Sequence, residues 1–82
     1  MEKVEGKVVK VFIPEEYING QKIDVMLSDK IGFEVLIDNE VKEIILEQTE
    51  DNCNIFKNDM VYVIREKNEL LDIELKDGEN YE

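Results

Sequence analysis

Apolar and polar residues alternate along most of this chain, and the alternation is repeatedly broken by turn-forming residues. The stretch IFKNDMVYVI, Ile55 to Ile64, shows the pattern in miniature. Lys57-Asn58-Asp59 reads as a turn, because Asn tolerates a left-handed backbone and Asp can bond nearby main chain. After it, Val61 and Val63 face one way while Met60, Tyr62 and Ile64 face the other, the period of two that defines a strand.

The same reading applied upstream and downstream predicts five or six short strands. In KVEGKVVKVFI, Val4, Val8 and Phe12 fall on one face with Gly6 between them, and Val9, Val11 and Ile13 on the other. A glycine inside a strand marks a bend or a close backbone approach, and two-sided apolar character at the far end implies a strand passing from one side of a barrel to another. Pro14 ends it, since proline cannot donate to the ladder. EEYINGQ follows as a loop with Asn19-Gly20 as its turn. KIDVML, with Ile23, Val25 and Leu27 inward, and IGFEVLID, with Ile31, Phe33, Val35 and Ile37 on one face, read as a hairpin. In DNEVKEIILEQTED, about residues 40–50, Asp38-Asn39 and the β-branched residues favour a strand. A short helix capped by Asn39 is the competing reading. QTEDNCN is a polar loop, REKNE a turn, and LLDIEL a last strand with Leu71, Ile73 and Leu75 on one face.

Strands of this number and length, separated by turns, predict an all-β fold, a small five- to six-stranded OB-like barrel. Closure removes the exposed edges that an open sheet carries. Residues 1–76 form the single expected domain and 77–82 an acidic, frayed tail. Composition agrees: 43% of the 82 residues are apolar, valine and isoleucine dominate, and alanine is absent. β-branched side chains suit a pleated surface better than a helix.

The bent VEGKVV strand and the KNDMVYV entry into a late strand are similar to the grammar of OB-fold barrels. Phe33 to Leu75 also resembles the soluble C-terminal domain of NfeD-type membrane-associated proteins. The matching positions are Val35, Ile37 and Asp38, then Ile55, Asn58, Val61 and Val63, then Leu71 and Ile73. Asn39 and Asn58 stand where that pattern has glycine, the first hairpin (Val4 to Ile37) is longer, and no membrane span is present. The resemblance implies an OB-like fold and an interaction barrel without catalytic residues.

Charge narrows the functional classes. There are 21 acids against 10 bases, a net charge of −11. Phosphate binding relies on Lys and Arg, so nucleic acid is disfavoured as a partner, and so is an anionic membrane surface. A basic protein partner suits the charge. Acids alternate at Glu5, Asp24, Glu34, Glu43, Asp72 and Glu74. Alternate strand positions lie about 6.5–7 Å apart, close to the phosphate spacing that an acidic DNA mimic must imitate. Tyr17, in a loop, is the aromatic expected to be exposed; Phe12 and Phe33 are expected to be buried.

Catalytic chemistry finds no support. Histidine is absent, which removes the usual general base and the commonest metal ligand. Cys53 has no base to activate it, sits among acids, and is expected to be half-buried or inert. Glu15-Glu16 and Glu50-Asp51 are adjacent acids, not carboxyls held in different environments. No calcium loop, zinc set or phosphate loop is present. The chain is therefore read as a non-enzyme with no cofactor, metal or catalytic residue. A protein-protein interaction module is the leading class, ahead of an acidic DNA-mimic inhibitor and a single-stranded nucleic-acid binder. A homodimer through a sheet edge is a further expectation. No secretory signal, no apolar run of about 20 residues and one cysteine point to a cytoplasmic protein.

Overall fold

The computed structural model describes residues 1–24 and 28–76. It is almost entirely β. Five strands form one curled, half-barrel sheet in the order β5-β4-β1-β6-β7: β1 (Glu2–Phe12), β4 (Lys30–Ile37), β5 (Glu40–Glu47), β6 (Met60–Glu66) and β7 (Glu69–Leu75). A separate ribbon pairs β2 (Tyr17–Ile18) with β3 (Gln21–Lys22). This is the partly open, five-stranded form of the small OB-like barrel. All main-sheet pairings are antiparallel.

β1 lies at the centre. Its first half, Glu2 to Lys7, pairs with β6, and its second half, Lys7 to Phe12, pairs with β4. The two-sided apolar pattern of this strand thus marks a passage between two halves of the sheet. Gly6 permits the curl: an added Cβ would stand 2.5 Å from Val35 Cγ1 and 3.0 Å from the Leu36 carbonyl oxygen. Around it the core closes on Val8, Phe33, Val35, Val61 and Val63, each fully buried, with Ile55 entering from the β5–β6 connection.

The turns fall where Asn and Asp predicted them. Asn19-Gly20 and Asp38-Asn39 both run through positive φ (53° and 81°, 51° and 67°), the geometry of tight hairpins. Asn58 also adopts positive φ, 79°, so the two asparagines that replace glycine in the resemblance adopt a glycine-like backbone. Asp59 Oδ2 accepts the Phe56 N–H at 2.8 Å and fastens that turn.

The 40–50 stretch is a strand through Glu47, the favoured of its two readings, and the only helical turn among the described residues is a 3-10 turn at Asn52–Asn54. Three expectations need correction. β4 does not pair with the segment before it. Its neighbours are β1 and β5, while β3 ends at Lys22 and pairs with β2; Val25, Met26 and Leu27 lie outside the described residues, as does the tail 77–82. A bulge between Val8 and Lys10 shifts the register of β1, so Val11 packs on the core and Phe12 lies half-buried on the outer face. A second irregularity, opposite Ile64 and Arg65, displaces Leu71 outward and turns Leu70 toward the core; Leu75 is exposed as well. One inserted residue reverses every side chain beyond it.

The β5–β6 connection is held by Asn52, the one buried polar side chain among the described residues. Its Oδ1 accepts the Thr49 N–H at 2.8 Å, its own N–H donates to Thr49 Oγ1 at 3.0 Å, and its Nδ2 donates to the Glu47 carbonyl at 2.8 Å. Asn52→Ala removes the side-chain partners of two backbone groups, the Thr49 N–H and the Glu47 carbonyl, in part-buried hydrogen bonds worth about 0.5–1.5 kcal/mol each. We expect a loss of about 1–3 kcal/mol in urea unfolding. Gly6→Ala forces an overpacked contact and should cost about 1–3 kcal/mol, lowering Tm by several degrees.

Candidate interaction surface

The registers of β1, β4 and β5 stack their outward side chains into three rows. One row is Phe12, Gly32 and Ile45; the next is Lys10, Glu34 and Glu43; the third is Lys7, Leu36 and Val41. Two partly apolar rows therefore flank a charged one. Val41 is 55% exposed and Ile45 46%, on a strand whose inward Ile44 is buried.

Gly32 organises the first row. The Phe12 ring lies over it so closely that an added Cβ would stand 2.4 Å from the ring. Lys10 then places its Nζ over that ring, 5.6 Å from the centroid. No ion pair joins Lys10 to Glu34, although the two are register partners. Glu34 and Glu43 stand directly opposite each other, and neither carboxylate has a salt bridge among the described residues. Like charges in that position oppose sheet pairing.

Beside this face the barrel is open. The edge strands β5 and β7 touch without pairing, and a groove of about 460 Å³ lies between them. Ile44 and Leu70 contribute apolar wall, and Lys42, Glu43, Arg65 and Glu69 contribute charge. Lys42 is held by Glu40 at 3.0 Å. Arg65 reaches Glu2 at 3.4 Å, and its buried Nε has no acceptor.

The other candidates disperse. Cys53 is exposed on the 3-10 turn, not half-buried, because the turn points it away from the core while Asn52 takes the interior. Glu15 pairs with Lys22 at 3.1 Å and accepts the Tyr17 hydroxyl at 3.3 Å, whereas Glu16 accepts from the Ser28 hydroxyl. The Glu50 carbonyl accepts the Asn54 side chain at 3.0 Å, and Asp51 leads into the 3-10 turn. Phe33 is buried and Tyr17 exposed, as expected; Phe56 is exposed too. Among the described residues no group of acids, cysteine or histidine has metal-binding geometry, and no helix is long and apolar enough to cross a membrane. No known protein family matches the chain, and neither curated proteins nor solved structures give a match.

The acidic residues of the outer face were legible in the sequence; their unpaired placement was not, because it depends on the bulge that brings Lys10 and Phe12 together onto that face. Relief of the repulsion is measurable. Glu43→Lys should raise stability by about 0.2–1 kcal/mol in urea unfolding, most at low salt. The β2–β3 ribbon has its own acid response. The Lys22 ammonium, through a hydrogen bond and its charge, holds the Glu15 carboxyl below the usual carboxylate range. A depressed folded-state pKa stabilises above the unfolded value and is lost as pH falls through the folded one. As pH falls below about 4, through the lowered Glu15 pKa, the Tyr17 and Lys22 amide signals should broaden or shift.

Proposed function

We propose that this protein is a non-catalytic interaction module that engages a basic protein through the outer face of β1, β4 and β5. The observation that carries the reading is the arrangement of that face: exposed Leu36, Val41 and Ile45 around two carboxylates that have no ion pair among the described residues. Apolar contacts supply affinity, and unpaired acids select for Lys or Arg. The resemblance to NfeD-type barrels supports the same class, and the single thiol suits a cytoplasmic setting.

A DNA mimic needs charge alone, whereas here apolar side chains interrupt the carboxylates. A nucleic-acid surface needs an excess of available bases, yet six of the ten, Lys3, Lys22, Lys30, Lys42, Arg65 and Lys76, are ion-paired, and acids outnumber bases 21 to 10. The test is capture from native lysate on immobilised protein, washed in rising salt, using three proteins: wild type, Val41→Ser with Ile45→Ser, and Glu34→Gln with Glu43→Gln. A basic protein held through moderate salt and lost with either double variant is the expected result. Capture lost only with the glutamine variant, of a nucleic-acid-binding protein that elutes early in the gradient, would establish the acidic DNA-mimic inhibitor instead. Retention of single-stranded DNA at low salt would establish the third class.

A further inference from the structure

The two open edges of the sheet are not equivalent. β7 is blunted: its pairing with β6 is irregular near Leu71, and the outward N–H of Ile73 is occupied by the Asp72 carboxylate at 2.8 Å. Bulges and edge charges of this kind are how proteins protect a strand edge. β5 carries charges, Glu40, Lys42, Glu43 and Glu47, but it has no bulge, and among the described residues no side chain occupies its outward N–H groups. It runs eight residues in unbroken register with β4, contains no proline or glycine, and carries exposed Val41 and Ile45.

The register also says which backbone groups are free. A two-residue turn with positive φ at both positions makes Ile37 and Glu40 a hydrogen-bonded pair. Alternation then assigns Lys42, Ile44 and Leu46 to β4, and the Gln48 N–H does donate to the Asp29 carbonyl at 2.8 Å, in phase. The N–H and C=O groups of Val41, Glu43 and Ile45 therefore face away from β4, along the groove. These are also the β5 residues whose side chains complete the three outer rows.

Resting on the interaction-module reading, we propose that β5 accepts an extended, basic segment of the partner as an added strand. It pairs with Val41, Glu43 and Ile45, and its outward residues continue the rows of the face. The side chain beside Glu43 is Lys or Arg, reaching the uncompensated Glu34–Glu43 pair. The side chains two positions to either side are apolar, against Val41 and Ile45. A second copy of this chain is a poor occupant, because β5 would meet its own Glu40, Glu43 and Glu47 and each copy carries −11. An added strand stands about 4.8 Å from β5, so it enters the groove between β5 and β7 and parts the two edges where they now touch, without pairing to the occupied edge of β7.

The experiment uses the whole chain, labelled for NMR. The probe is a blocked nine-residue peptide with a central Arg and Val two positions to either side. Amide exchange is followed with and without it. Bound peptide should slow exchange at Val41, Glu43 and Ile45 about tenfold or more, with Lys42, Ile44 and Leu46 unchanged. The same peptide with Glu for Arg, or N-methylated at alternate residues, should bind at least about tenfold more weakly. Ile45→Pro deletes one free N–H and should weaken binding similarly while leaving the circular dichroism spectrum intact. If the peptide shifts the Leu36 and Val41 methyl signals without slowing those amides, strand addition is wrong and the face reading survives. Should it perturb neither, both are wrong. Protection of the three amides in the free protein that disappears on dilution would mean that a second copy occupies β5, and would overturn the proposal.

Discussion

The fold depends on how closely β1 approaches β4 at Gly6. Both halves of the sheet hang on this one strand, β6 on its beginning and β4 on its end. The change of partner happens at Lys7, which pairs with Leu36 and with Met60. The space that a side chain would fill at Gly6 is taken by Val35 and Ile37. With that approach the sheet curls enough for Phe33 and Val35 to meet Val61 and Val63; without it the five strands would make a flatter sheet with one wetted apolar face. The Val8 N–H donating to Asp59 and the Asn58 N–H donating to Val8, at 2.9 and 2.7 Å, tie the same point to the turn before β6.

Much of this was readable in the sequence, for identifiable reasons. Turn residues act locally, so Asn19-Gly20, Asp38-Asn39 and Asn58 announced themselves. The alternation around Val61 and Val63 also held, because no irregularity interrupts β6 there. What failed was non-local. A bulge belongs to two strands at once, and neither the Val9 nor the Leu71 displacement has a signature in its own segment. The expected partnership of 22–27 with β4 failed because period and burial say that a strand exists, not whose edge it takes. Asn52 sits in a composition that says only loop. Its signal was the Thr49-to-Asn52 spacing, at which two short polar side chains can each bond the other's backbone.

The candidate surface inherits the same division. Glu34, Glu43, Val41 and Ile45 were all visible as strand residues, but a face is made by register, and register was the missing quantity. The bulge in β1 moves Phe12 outside, Gly32 gives its ring a seat, and the ring draws Lys10 from the carboxylate it would otherwise neutralise. A core requirement thereby reaches the surface charge pattern. Elsewhere the surplus acids are either paired, as with Lys3 and Glu74 at 2.7 Å or Lys30 and Glu47 at 2.6 Å, or solvated. Such exposed pairs add little stability, so the fold rests on its β-branched core rather than on its charges.

The central position of β1 has a kinetic side. This strand precedes in the chain both of the strands that flank it: Lys7 waits for Leu36 on one side and for Met60 on the other. Sheets assembled from such distant pairings fold slowly, because loop closure comes before any reward. During that interval VVKVF is an unpaired, β-prone run with both edges open, the kind of segment that seeds aggregation. The lysines at positions 7 and 10 break it up, and the surrounding acids keep unfinished chains apart by repulsion. The excess negative charge thus has a task even before there is a surface for a partner to meet.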